Sequence, residues 1–422
     1  MKIAILGFGR EGRAMLAFAR KKFKNAEFKV LDRKFDPNYL KKLGGLDLVF
    51  RTPGIPYDLP EIKAARRQGV EFSSATKIFF EEARKKGVKN IIGITGTKGK
   101  GTTSTILYKI LRSASRNVYL AGNIGRPAIK ILPALNKKST VILELSSFQL
   151  QDLGESPAIA VLLDIFPDHL DSHRNFSEYL RAKENAVRWQ TKKDIVFYFS
   201  DNKNSVAISR KSPGKKINVS SKQSNSYLSK NDLREISQRI KIAGEHNLEN
   251  AVMAATIASF LGTPKKNIFS VIQRFQGNKY RLELARSIGK TKFYNDSGST
   301  NPETAAAAVK SFSNSKILIA GGKDKNLNYA PLAKALKNSD TALVILFGEN
   351  KQKIRGAISN SGVEIKLAQT LDGALKTAWN RAKRPKDKDY SIIFSPGSAS
   401  FDMFRNYEER GKIFADLVKR LK

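Results

Sequence analysis

The sequence predicts an α/β protein built on mostly parallel sheets and divided into three domains. Short apolar runs alternate with helical patterns along almost the whole 422-residue chain, as strands and crossover helices do. Polar loops rich in glycine and serine follow several of these runs, where parallel sheets hold ligands. The length suits about three domains of roughly 150 residues each. The expected segments are residues 1–89, 90–278 and 279–422.

Composition narrows the function classes. Hydrophobic residues form 41% of the chain, enough for sizeable cores, and the absence of cysteine removes disulfides, thiolate metal sites and cysteine nucleophiles together. The N-terminal apolar run, Ile3–Leu6, gives way to glycines and Arg10, too soon for a signal sequence. No apolar run approaches the ~18 residues of a membrane span. A cytoplasmic protein without membrane insertion is expected. The net charge of +38 raises nucleic acid as a partner, yet it spreads as +11, +15 and +12 over residues 1–90, 91–280 and 281–422. Nucleic-acid binding concentrates charge in a patch or arm. An even excess attracts anionic metabolites instead, so no specific nucleic acid is expected.

In the first segment, Lys2–Leu6, Phe28–Leu31 and Leu46–Phe50 are expected strands, with a helix from about Gly12 to Lys22. Gly7-Phe8-Gly9-Arg10-Glu11-Gly12 is G-x-G-x-x-G at the end of the first strand, and Asp32 ends the next. That pattern places a diphosphate at a helix N-terminus and a carboxylate on a ribose hydroxyl. It serves a nicotinamide dinucleotide or a UDP group equally well. Thr52-Pro53-Gly54-Ile55-Pro56 reads as a rigid turn after the third strand.

The second segment is organised around Gly93–Thr103, G-I-T-G-T-K-G-K-G-T-T, between an apolar run from Val88 and a helical pattern from Thr102 to about Leu111. Strand, glycine loop and helix together turn backbone N–H groups towards phosphate, and Lys100 would supply the charge on the terminal phosphates. The match to G-x-x-x-x-G-K-[ST] is imperfect: Ile94 takes the first glycine position and Gly101 the hydroxyl position. Val118–Ala121, Thr140–Leu145 and Ala158–Leu163 are further buried strands. Glu144 ends the second, over the crevice where such sheets bind ligands. Asp168-His169 follows the third; of the histidines 169, 173 and 246, His169 sits best for a hard metal or phosphate. Lys183 falls in a helix expected over 175–190, where periodicity alone allows a solvated face. Residues 201–231, rich in Ser, Asn and Lys, read as exposed loops and short strands. Gly244 opens a strongly helical run that ends near Gly262.

The third segment alternates again, with strands at Lys292–Tyr294, Lys316–Ala320, Ala342–Phe347 and Ser391–Phe394 and helices at Pro302–Ser311, Leu371–Arg381 and Tyr407–Leu421. Polar loops at 295–300, 321–325 and 395–400 follow strands and argue for a site.

The glycine loop, Gly122-Asn123-Ile124-Gly125, E-L-S-S-F-Q-L at 144–150, Asp168-His169, Gly244–Asn250 and S-P-G-S-A-S-F-D-M-F-R-N-Y-E-E-R-G at 395–411 occur together in this order. The combination resembles the Mur ligases over essentially the whole chain, and within them the members that add D-glutamate. The resemblance implies a Rossmann-like N-terminal domain for UDP, a central P-loop-type ATPase domain and a Rossmann-like C-terminal domain for the amino acid. It also implies a monomer that joins D-glutamate to UDP-N-acetylmuramoyl-L-alanine through an acyl phosphate, using ATP and two Mg²⁺ ions.

By the same resemblance, Lys100, Glu144, His169 and Lys183 carry the catalysis. Gly96, Thr97, Lys98, Gly99, Lys100, Thr102, Asn250, Arg281 and Asp296 hold ATP. Gly9, Arg10, Asp32, Arg33, Lys34, Asn123, Ser146 and Gln149 hold the UDP substrate, and Thr300, Lys325, Ser400 and Tyr407 the amino acid. Glu144, His169, a carbamylated Lys183 and Thr102 are the implied metal ligands. Three positions depart from the family: Gly101 for Ser/Thr, Gly298 for the lysine of N-D-S-K-x-T, and Tyr280 for the histidine of H-R-x-E. Three readings stay open beside this one: another amino-acid ligase of the same superfamily, an NAD-dependent oxidoreductase built on Gly7–Gly12, and a P-loop nucleic-acid-binding protein.

Overall fold

A computed structural model describes residues 1–114, 117–123, 125–168, 173–242, 244–383 and 389–421. Three sheets organise it. In the first, β1 (Lys2–Leu6), β2 (Glu27–Leu31), β3 (Leu48–Arg51) and β4 (Glu71–Ser73) run parallel in the order β2-β1-β3-β4. The second holds β5 (Asn90–Thr95), β6 (Val118–Gly122), β7 (Thr140–Glu144), β8 (Ile159–Leu162), β9 (Ile195–Phe199) and β10 (Lys215–Val219). Its order is β10-β9-β8-β5-β7-β6, all parallel, so β5 is flanked by β7 and β8 and its carboxyl end lies beside theirs at one edge of the sheet.

The third sheet contains β11 (Glu283–Ile288), β12 (Thr291–Asn295), β13 (Lys316–Ala320), β14 (Thr341–Leu346), β15 (Ile365–Leu367) and β16 (Ser391–Phe394). The order is β11-β12-β16-β13-β14-β15, with only the β11–β12 pair antiparallel among the described strands. Its central strands are buried on both faces. Leu318, Val344 and Ile393 pack into one core and Ile317, Leu343 and Ile392 into the other, which is why these strands read as continuous apolar runs.

The chain packs as two compact units, Met1–Ile240 with His246–Gln273, and Lys241–Glu245 with Arg274–Lys422. The first unit contains two sheets because a single core joins them. Ile3 and Ile5 of β1, Phe79 of the helix Ala75–Lys85, Ile129 and Leu132, and Val141 and Leu143 of β7 belong to one hydrophobic cluster. No helix among the described residues is long and apolar enough to cross a membrane.

The structure refines two local expectations. Residues 201–231, expected as exposed loops and short strands, contain the short edge strand β10 and also a helix, Lys203–Ser209, capped by Asn202. Polar residues suit that strand because it has one neighbour and an open edge. The helix expected over 175–190 is Phe176–Glu184, after which Ala186 and Val187 donate to carbonyls three residues back and tighten the chain into turns. The short strands β4 and β15 carry too few residues to show a period.

Candidate active site

The glycine loop leaves β5 and enters the helix Lys100–Ser113. Gly99 has φ +81°, and a Cβ there would run into the side chain of Asn250, on the helix Glu245–Phe260. Glycine at this turn thus lets Asn250 seat against the loop. Thr103 Oγ1 donates to Asn250 Oδ1 at 3.1 Å, with both residues buried. Thr102 is half-buried.

Two lysines meet on this loop. Lys100 Nζ donates to the carbonyl oxygens of Gly96 and Thr97, each at 2.9 Å. Lys183 Nζ donates to the same Gly96 oxygen at 2.8 Å and to Thr95 Oγ1 at 3.4 Å. Lys183 is 1% exposed, so its place is an interior one and not a solvated helix face. Burial, followed by the charge of Lys100, holds its amine well below the ordinary lysine range, against the pull of Asp168. Its Nζ lies 4.6 Å over the Tyr179 ring, whose hydroxyl is 2.9 Å from Thr97 Oγ1. Burial pushes that phenol up to about 12.

Glu144, 5% exposed at the end of β7, accepts from Asn123 Nδ2 at 2.7 Å, and its main-chain oxygen accepts from Asn123 N. Arg10 Nη2 in turn donates to Asn123 O at 3.1 Å. Ser146 caps the helix Ser147–Leu150, with Gln149 closing a capping box. Lys100, Asn123, Ser146 and Lys183 line one cavity of about 470 Å³. The Pro53–Pro56 turn, Phe148 and Tyr179 also line it. Sequence reasoning read that segment as a rigid turn without assigning it to a site and passed over both aromatics; position after a strand end was the one available signal.

In the loop 7–12, a Cβ on Gly12 would run into the Gly7 carbonyl, so glycine permits the helix Arg10–Lys22 to pack on the strand end. A Cβ on Gly9 would meet nothing within 4 Å, leaving open space at the helix N-terminus. Both Asp32 carboxylate oxygens accept backbone N–H groups, from Phe8 at 2.5 Å and Lys34 at 2.8 Å. Those bonds hold its carboxyl below the usual range and brace the loop. Arg33 and Lys34 are exposed beside it.

In the second unit, Asp296 is buried at the end of β12, accepting from Ser395 Oγ at 2.6 Å and Leu282 N at 3.1 Å. Burial pushes its carboxyl up to about 7. Arg281 and Thr300 are exposed and Ser400 is buried. Lys325 Nζ lies 5.6 Å over the Phe401 ring, and Tyr407 packs edge-on to Tyr280. Sequence reasoning did not single out Arg410, which is wholly buried and donates to Ser297 Oγ and Ser297 O at 3.1 and 2.9 Å.

His169 lies outside the described residues. His173 is buried, its Nε2 3.0 Å from Ser147 Oγ and its ring stacked on Phe148, so it backs the cavity wall. No group of three His, Asp or Glu side chains able to hold a metal stands among the described residues. A carboxylate at Glu144, oriented by Asn123 Nδ2, is the donor type that suits Mg²⁺, which takes few protein ligands.

Two family models match the chain: the Mur ligase middle domain over residues 94–258 and the Mur ligase glutamate ligase domain over 280–395. The chain is 35% identical to a UDP-N-acetylmuramoylalanine–D-glutamate ligase of Acetivibrio thermocellus, covering 100% of this chain and 96% of that protein. It is 36% identical to the enzyme of that name from Symbiobacterium thermophilum, covering 91% and 86%. Among solved structures it is similar to MurF of Acinetobacter baumannii, at 18% identity and TM-score 0.61 over 90% and 92% of the two chains. It is also similar to a UDP-N-acetylmuramate–alanine ligase of Thermotoga maritima, at 18% identity and TM-score 0.58 over the full length of both. These two likenesses bear on the fold.

Proposed function

The chain belongs to the Mur ligase family, and from that premise we propose that it joins D-glutamate to UDP-N-acetylmuramoyl-L-alanine while converting ATP to ADP and phosphate. This is a carboxylate–amine ligation in peptidoglycan precursor synthesis. The alanyl carboxylate attacks the γ-phosphorus and ADP leaves; the amine of D-glutamate attacks the resulting acyl phosphate, loses a proton, and phosphate departs as the amide forms. Such chemistry asks the protein for positioning and charge neutralisation, not a covalent nucleophile. The observation that carries the reading is the convergence of Lys100 and Lys183 on one loop carbonyl beside a cavity that Asn123 and Ser146 also line.

Lys100 and the amides of Gly96–Gly99 hold the β- and γ-phosphates, and Asn250, through its seat on Gly99, fixes the loop's shape for them. Arg281 and Asp296 contribute to ATP from the C-terminal domain. Mg²⁺, when bound, neutralises the charge that builds on the transferring phosphoryl group. Glu144, His169, Thr102 and Lys183 hold two such ions, Lys183 as a carbamate. Burial shifts Lys183 towards its neutral amine, the form whose lone pair carbamylation requires. Gly9, Arg10, Asp32, Arg33 and Lys34 hold the UDP group, and Asn123, Ser146 and Gln149 the muramoyl-alanine portion. Thr300, Lys325, Ser400 and Tyr407 receive D-glutamate, for which one cation and several hydroxyls suit a dicarboxylate. The enzyme acts as a cytoplasmic monomer, folded into domains 1–89, 90–278 and 279–422.

Phosphate release with ATP, Mg²⁺ and UDP-N-acetylmuramoyl-L-alanine tests this, offering D-glutamate, L-glutamate, L-lysine and meso-diaminopimelate separately. Turnover is expected with D-glutamate. Turnover with another of the four and none with D-glutamate would overturn the assignment.

A further inference from the structure

Glu11 lies in the first turn of the helix Arg10–Lys22, two residues after Gly9. Its Oε2 accepts from Gln149 Nε2 at 3.3 Å, although 138 residues separate the two. Its Oε1 is closed off from solvent and has no hydrogen-bond partner among the described residues. Gln149, 4% exposed, uses the other end of its amide for Ser146: Oε1 accepts from Ser146 N at 3.1 Å and from Ser146 Oγ at 3.3 Å. Gln149 N donates back to Ser146 Oγ at 3.2 Å. This side chain therefore has one correct orientation. A flipped amide would set its NH₂ against the Ser146 N–H, donor facing donor, and its oxygen against the Glu11 carboxyl, acceptor facing acceptor. Ser146 lines the cavity beside Lys100 and Lys183.

The surrounding charges keep Glu11 in place. Arg10 and Arg51 attract it and Asp152 repels it, while Arg51 is held by Asp152 at 3.2 Å and by the Phe148 and Ile55 carbonyls. Burial pushes its carboxyl up to about 7. The bond to Gln149 does not depend on the charge, since a protonated carboxyl keeps an accepting oxygen.

We infer that Glu11 is a positioning residue for the acceptor nucleotide-sugar: it acts through Gln149, fixing the amide orientation that sets Ser146 on the cavity wall. The inference rests on the reading of Ser146 and Gln149 as contacts of the muramoyl-alanine portion. It gives the first helix turn a second task. The expected diphosphate loop, through its own Glu11, also shapes the wall at the other end of the substrate.

The test is steady-state kinetics on the full chain for Glu11→Ala, Glu11→Gln, Gln149→Ala and the Glu11→Ala/Gln149→Ala pair. One lost buried hydrogen bond is worth about a tenfold change. Glu11→Ala is expected to raise KM for UDP-N-acetylmuramoyl-L-alanine about tenfold, with KM for ATP unchanged and kcat within about twofold. Glu11→Gln, which keeps an acceptor, is expected to restore the wild-type KM. Glu11→Ala is expected to add nothing once Gln149 is alanine. A Gln149→Ala variant with wild-type acceptor KM would overturn the placing of the acceptor there, and the inference with it. A raised KM in Gln149→Ala beside a normal one in Glu11→Ala, additive effects in the double variant, or the same loss in Glu11→Gln as in Glu11→Ala would each overturn the inference alone.

Discussion

Lys100 and Lys183 donate to the same oxygen, the Gly96 carbonyl, at 2.9 and 2.8 Å. Two ammonium groups on one carbonyl repel each other, and the repulsion grows as water is excluded. Burial first, and then the charge of Lys100, favour the neutral form of Lys183, so it is the one of the pair with the depressed pKa. The glycine loop's Lys100 and the buried Lys183 are therefore electrically coupled.

Removing that amine separates activity from stability. Lys183→Ala is expected to lower turnover by at least about a hundredfold, the scale of losing one electrostatic group in a transition state. A short carboxylic acid added in millimolar amounts should restore part of it by replacing the carbamate. Phosphate release with and without acetate measures both; unrescued loss would leave the carbamate unsupported, and full activity in the variant would contradict it. Lys183→Met is expected to be at least as stable as the parent in urea, since a buried amine costs free energy that an apolar side chain does not.

Thr103 and Thr102 part company in the structure. The Thr103 hydroxyl is buried and committed to Asn250, so under the proposed function the magnesium ligand absent at Gly101 would come from Thr102 or from water. Thr102→Ala should raise the Mg²⁺ concentration for half-maximal turnover several-fold. Thr103→Ala should leave that concentration unchanged and lower stability by about 1–2 kcal/mol through the unpaired Asn250 oxygen. An unaltered magnesium titration in Thr102→Ala would make water the ligand.

Asp296 gives a pH signature. Its folded pKa, about 7, lies above the ordinary aspartate value, so the folded state binds more protons than the unfolded one between roughly pH 4 and 7. Stability from this group is thus highest in acid and falls as pH rises through that window. The full change is on the order of 4 kcal/mol. Asp296→Asn keeps an acceptor for Leu282 N and lacks the titration. Its stability relative to the parent, followed by denaturant unfolding from pH 4 to pH 8, should rise by a few kcal/mol. A flat difference would mean that the carboxyl stays ionised.

Gly298 cannot simply be returned to the family's lysine. A Cβ there would stand 2.7 Å from the Tyr280 carbonyl oxygen, which already accepts from Gly298 N. Tyr280 itself has φ +63°, and its ring packs where a side chain on Gly411 would be. Gly298→Ala should therefore destabilise the second unit by about 1–3 kcal/mol, the usual scale of overpacking, and Gly298→Lys by no less. Thermal unfolding with the two substitutions neutral would show that the Tyr280 turn yields easily.

The sequence by itself determined the architecture and the family. Apolar runs that are buried on both faces of a parallel sheet keep their character at any register, so β1, β13 and β16 were legible to the residue. Glycine loops declare themselves because backbone geometry allows little else there. Edge strand β10 was legible only as an unplaced short strand within 201–231, and the two shortest strands were not legible, since a single neighbour or three residues leave too weak a pattern. What only the tertiary structure decided was which polar groups share a surrounding. Helical periodicity could not tell whether Lys183 faced water or Gly96. Nothing local links Glu11 to Gln149, or Arg10 to Asn123 and so to Glu144. Those relationships depend on desolvation and on groups far apart in sequence, and both arise only when the sheets pack.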